Sequence, residues 1–172
     1  RLKSYDEMVA VAQATVDELE QSNALKLDLA QSTVSIGAFA PVHLSRLEAV
    51  IYALFVRGKR DRCERSALVR CGECTACYSE ISKSHGLVRH LETSMQKNIK
   101  DDAKTALSAV EINLVLGDAP RLRGEISGIN KKLRDNIERN DVADRYRIVP
   151  AAGLTRNKRY GIPADKAQLS IS

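Results

Sequence analysis

Four cysteines, Cys63, Cys71, Cys74 and Cys77, fall within fifteen residues of a chain that holds no other thiol. They lie in the stretch RGKRDRCERSALVRCGECTACYSE, residues 57 to 80, with the spacing C-x7-C-x2-C-x2-C. Sulfur ligands gathered in this way bind a soft or borderline metal. Four thiolates closed around one tetrahedral ion describe a structural zinc site. Steps of three residues drift around a helix axis by about 60° each, so the three close thiols cannot face one ion from a continuous helix and a turn is implied. Gly72 supplies the permissive backbone for it.

Three other readings of the window stand beside the zinc tetrathiolate. C-x2-C-x2-C is also a run that binds a 4Fe-4S cluster. His85 or His90 could replace one of the cysteines as a zinc ligand. Unligated thiols are the third, because cysteine is a common core residue. The words CGECTAC resemble the CGxCTxC turn of the flavin-binding subunit of respiratory complex I, and that resemblance implies an iron–sulfur cluster. It covers seven residues, and the distant fourth cysteine of that family has no counterpart in this chain. A base-reading C2H2 finger is not expected, since the gap from Cys74 to His85 is ten residues and TACYSEISKS lacks the apolar pattern of a finger hairpin. His43 reads as a solvated or capping residue.

The charge around the window is as notable as the thiols. Arg57, Lys59, Arg60, Arg62, Arg65 and Arg70 lie in or beside it, and their field favours thiolate over thiol. Lys and Arg against Asp and Glu number 4 to 7 over residues 1 to 50, 10 to 5 over 51 to 100 and 13 to 10 over 101 to 172. The positive excess therefore begins at the cysteines. Near the end, Arg156, Lys158 and Arg159 form a second basic cluster. Such groups contact phosphates with salt-dependent affinity and little sequence preference. With no Trp and two Phe, base stacking is a minor component.

The elements that must position these groups read as helices. Ser4 and Glu7 form a capping-box pattern ahead of MVAVAQATVDELEQSNALKLDLA, in which Met8, Ala12, Val16 and Leu19 share a side. STVSIGAFAP breaks that helix. A second helix starts at Val42 and ends near Gly58, with Leu44, Leu47, Val50, Ile51, Leu54 and Phe55 as its stripe. A third carries Ile81, Leu87, Val88, Leu91 and Met95. A fourth, KDDAKTALSAVEINLVLG, stops at Gly117. The fifth takes Asp118 as N-cap and Pro120 in its first turn, with Leu122, Ile126, Ile129 and Leu133 as a seam and Gly124 and Gly128 as points of close approach.

The expected fold is thus mainly α, about five helices in a bundle-like core. Residues 1–140 make the helical domain with its metal-binding loop at 57–80, between the second and third helices. Residues 141–172 make a basic, irregular C-terminal arm. At 172 residues the chain can bury a core without disulfides. Scarce cysteine, no apolar run of membrane length and no signal-like opening predict a reducing intracellular compartment, cytoplasm or nucleus, with no membrane contact. The chain opens on Arg1, as a processed or trimmed chain would.

Nothing in the sequence matches a phosphate-binding loop, a dinucleotide fingerprint or H-E-x-x-H, so an enzyme is not expected. The leading expectation is a zinc-stabilised helical nucleic-acid-associated protein of a transcription-regulating kind. One alternative is a protein-interaction or assembly module, such as a viral or phage accessory factor, with a purely structural metal and a partner or second copy docked on the Leu122–Leu133 seam. The other is an iron–sulfur redox sensor. Replacing Cys71 or Cys74 with Ser should disorder the loop and lower the melting temperature, whereas parent-like melting of both variants would remove the shared-ion reading.

Overall fold

The computed structural model describes residues 4–63, 77–81, 117–151 and 159–172. The third and fourth helices of the sequence reading lie outside these residues except for Ile81 and Gly117. Within them the chain is a mixed α/β structure, which corrects the expected five-helix bundle.

Helix α1, Tyr5–Ser22, opens with the expected capping box: Glu7 N–H donates to Ser4 Oγ at 3.3 Å and Ser4 N–H to the Glu7 carboxylate at 3.0 Å. It ends eight residues before the sequence pattern suggested. Leu25 and Leu27 alternate with Lys26 and Asp28, and this period of two makes strand β1, Leu25–Asp28. Strand β2, Thr33–Ile36, pairs with it antiparallel, with Leu25 opposite Ile36 and Leu27 opposite Val34. Between them Asp28 Oδ1 accepts the Gln31 N–H, and Ser32 takes a left-handed backbone (φ 52°) to close the turn. Val42–His43 form β3, so the segment read as the start of the second helix is extended instead.

Helix α2, Arg46–Arg62, starts at Ser45, where Ser45 and Glu48 form a complete capping box. It runs past Gly58 to a C-cap at Cys63. The Asp118-capped helix α3, Ala119–Asn136, follows the sequence reading closely, and Leu122, Ile126, Ile129 and Leu133 are all buried. Contacts between α2 and α3 show that this seam packs within its own chain. Gly128 supplies the close approach, since a Cβ there would lie 3.2 Å from Glu48 Oε1 on α2. Helix α4, Asn140–Tyr146, follows.

The expected irregular arm is also corrected. Val149–Pro150 (β5), Arg159–Gly161 (β6) and Leu169–Ile171 (β7) are strands, with a short 3-10 turn at Lys166–Gln168. With Ser79–Glu80 as β4, the order of one sheet is β4-β6-β5 and of the other β3-β2-β1-β7. Strand β7 lies parallel to β1, pairing Leu25 with Leu169 and Leu27 with Ile171. The last residues read as an irregular arm because three-residue strands are too short to show periodicity. Their stability comes from β1 and from burial of Leu169, Ile162 and Ala164 in the common core.

Polar links tie the helices together. Tyr52 Oη on α2 donates to the Tyr146 carbonyl at 2.7 Å, and Tyr146 Oη donates to the Asn23 carbonyl between α1 and β1. Burial, followed by the neighbouring Tyr146, keeps the Tyr52 hydroxyl well above its usual pKa and therefore a donor. The Asn130 side chain takes the place of a strand neighbour, donating to the Ile148 carbonyl and accepting its N–H.

Glu48 is a buried charge of this core, with its side chain 8% exposed. Its Oε2 accepts both the Ser45 N–H and the Lys132 Nζ of α3, each at 2.6 Å. Burial alone would raise its pKa. The hydrogen bonds from Lys132 and Ser45 and the charge of Lys132 outweigh burial and hold it below its ordinary 4.5. A carboxyl depressed on folding adds stability above its unfolded pKa and loses it as pH falls through the folded value. A Glu48→Gln variant should therefore be less stable at pH 7 by about 2 kcal/mol, with the deficit shrinking below about pH 4, as read by chemical denaturation at both pH values.

Candidate metal centre

Helix α2 delivers the first cysteine. Cys63 follows its last turn, donating its N–H to the Lys59 carbonyl at 3.2 Å, and its own carbonyl accepts Lys166 Nζ at 2.8 Å. The chain is next described at Cys77, in the turn that leads to β4. Cys63 and Cys77 are both buried, and they belong to the same small cluster with Tyr78 and Ala151, covered in part by Val149. The guanidinium of Arg62 donates to the hydroxyl of Ser79. The residue before the first cysteine thus touches the second residue after the last one, and the two ends of the 64–76 segment meet.

Each end is fixed by a different sheet or helix. The register of α2 against α3 sets where Cys63 emerges. The pairing of Ser79 with Tyr160 and Glu80 with Arg159 sets where Cys77 stands. The Tyr78 ring lies against Gly161, leaving no room for a side chain there.

Two of the four expected ligands therefore converge. Cys71 and Cys74 lie outside the described residues, as do the substitutes His85 and His90. Among the described residues no three His, Cys, Asp or Glu side chains gather. Two buried thiols at the base of one loop are the residue type that a thiolate metal such as zinc takes as ligand.

The expected phosphate contacts divide. Arg60 is exposed on the last turn of α2, and Arg159 is exposed on β6 opposite Glu80. Arg62 is exposed but bonded to Ser79, while Arg57 is half-buried. Lys59 is 1% exposed, so its ammonium cannot serve a phosphate in solution. Arg65, Arg70, Arg156 and Lys158 lie outside the described residues. His43 is exposed on β3, paired with Thr33.

Sequence reasoning missed Lys166, Ser79, Tyr78 and Gly161 as supports of the site. It also misplaced Lys59, although a signal was present. Tyr52, Val56, Lys59 and Cys63 step by four, three and four along α2, so the buried stripe runs directly to the cysteine.

Comparison with known proteins finds no family, no curated protein and no solved structure that matches this chain. Among the described residues no helix is long and apolar enough to cross a membrane. Gly161→Ala should displace the Tyr78 ring and destabilise the fold by about 1–3 kcal/mol, measured by thermal melting, while Gly124→Ala, with open space at its Cβ, should be neutral or mildly stabilising.

Proposed function

We propose that this protein binds nucleic acid through a basic loop whose shape is held by a zinc–thiolate site. The observation that supports this most directly is the meeting of Cys63 and Cys77 in one buried cluster at the base of the arginine-rich segment. A loop closed at its base needs few further constraints to become rigid. Two additional thiolates from within it would supply them, because metal binding and loop ordering are one event.

The exposed cations at the base then have a task. Arg60 projects from the end of α2, and Arg159 stands across the β4–β6 ladder from the residues that follow Cys77. Both flank the loop on fixed secondary structure. Guanidinium groups held in this way release condensed counterions from a nucleic-acid backbone without reading base edges. The activity is binding rather than chemistry, with a closed tetrathiolate leaving no coordination position for a substrate.

Elemental analysis of the freshly purified full chain should find about one zinc per chain. Binding to labelled DNA and RNA should weaken steeply with salt, and Arg60→Ala and Arg159→Ala should each reduce the logarithmic salt slope by about 1 across all sequences. Metal-free protein with parent-like folding would exclude the site. Brown protein with visible absorption would replace zinc by an iron–sulfur cluster, and variants that match the parent at every salt would exclude the basic-loop role.

A further inference from the structure

Helix α1 differs from the other long helices in the exposure of its first three turns. Every residue from Ser4 to Thr15 is exposed, including Tyr5 at 77%, Met8 at 53%, Val9 at 48% and Val11 at 51%. Tyr5, Met8, Val9 and Ala12 are spaced as one helical stripe. Isolated helices of this length are marginal in water, so its capping box and the Thr15 hydroxyl bond to the Val11 carbonyl do not account for an apolar face left in solvent. The base of the helix is fixed, because Asn23 accepts from Tyr146 Oη and β1 enters the core directly afterwards. The stripe is thus carried on an anchored element.

Charge identifies what covers it. Residues 4 to 22 contain five carboxylates, Asp6, Glu7, Asp17, Glu18 and Glu20, and no Lys, Arg or His. A second copy pairing through α1 would bring ten carboxylates together without a counter-charge, which opposes self-association in either orientation. Anionic lipid and nucleic acid are repelled for the same reason, and helices that lie on membranes are rich in Lys and Arg instead. We propose that α1 is a docking helix for a partner protein, and that the partner presents a basic amphipathic helix. Its apolar side would cover Tyr5, Met8 and Val9, and its Lys or Arg residues would meet the carboxylates flanking the stripe. This role is independent of the metal loop.

The test uses the full chain and two synthetic helical peptides, one with leucines on one face and lysines elsewhere, the other with glutamates in place of the lysines. Fluorescence anisotropy should show binding of the lysine peptide at least about tenfold tighter than of the glutamate peptide, weakening with salt. Met8→Asp with Val9→Asp should reduce that affinity by about tenfold or more with an unchanged thermal melt, although the change adds two negative charges and would strengthen mere charge attraction. Asp6→Lys with Asp17→Lys, which keeps the stripe, should narrow the preference between the peptides, since three carboxylates then face two lysines. Equal affinity for the two peptides, a Met8/Val9 variant that binds like the parent, or a parent that sediments as a dimer and becomes monomeric in that variant would each overturn the proposal.

Discussion

A carboxylate out of water has to be fully satisfied, and the arrangement that satisfies Glu48 fixes the centre of this molecule. One oxygen accepts from the helix N-cap of α2 and from Lys132 of α3, so the cap and the interhelical pair are inseparable. The Gly128 backbone is close enough that even a methyl group would press on the other oxygen. Sliding α2 along α3 would strand a buried charge, a far larger penalty than losing any one apolar contact. The hydrophobic seam gives the two helices their affinity, while the ion pair gives them their register. Because α2 is rigid from Ser45 to Arg62, that register also decides where Cys63 emerges.

The same logic extends outward through Tyr146. Its carbonyl accepts from Tyr52 on α2, and its hydroxyl reaches Asn23 at the head of β1. One residue of a short helix thereby couples the helix pair to the sheet. Strand β7 closes the arrangement from the other end of the chain, where Ser170 Oγ donates to the Leu25 carbonyl. The sheet that holds β1 is consequently built from both ends of the sequence, and its pairing forms only when the intervening chain has folded back.

That origin explains which parts were legible in the sequence. Helix α3 could be read because cap, proline and seam are all local signals, and tertiary packing agreed with each of them. The capping box of α1 and the stripe of α2 were readable for the same reason. The strands were not. In LKLD the residue types favour helix, and only the alternation of Leu25 and Leu27 with polar neighbours points the other way. Partners from β2 and β7 decide the matter, and neither is visible locally. Val42–His43 and Leu169–Ile171 are shorter still, so pairing energy rather than composition makes them strands. At the cysteine window, the thiols announced themselves, but their supports are scattered over β4, β6 and the 3-10 turn and share no motif.

Lys59 shows how far a composition argument can mislead about a site. Counted as one of six surface cations, it is instead among the most buried side chains of the protein, one helical turn before Cys63. A second ammonium, Lys166, donates to the Cys63 carbonyl. Lys166 thus reaches the backbone of Cys63 from a half-buried position, while Lys59 is linked to it through its own carbonyl. Interiors tolerate an ammonium only where anionic or carbonyl partners compensate it. On the proposed reading, four thiolates around a divalent ion carry a net charge of about −2, and cations beside Cys63 are what such a site requires to be buried. The basic residues of this region then divide by depth. Lys59 is interior, Arg57 and Lys166 are half-buried, and Arg60 and Arg62 are exposed.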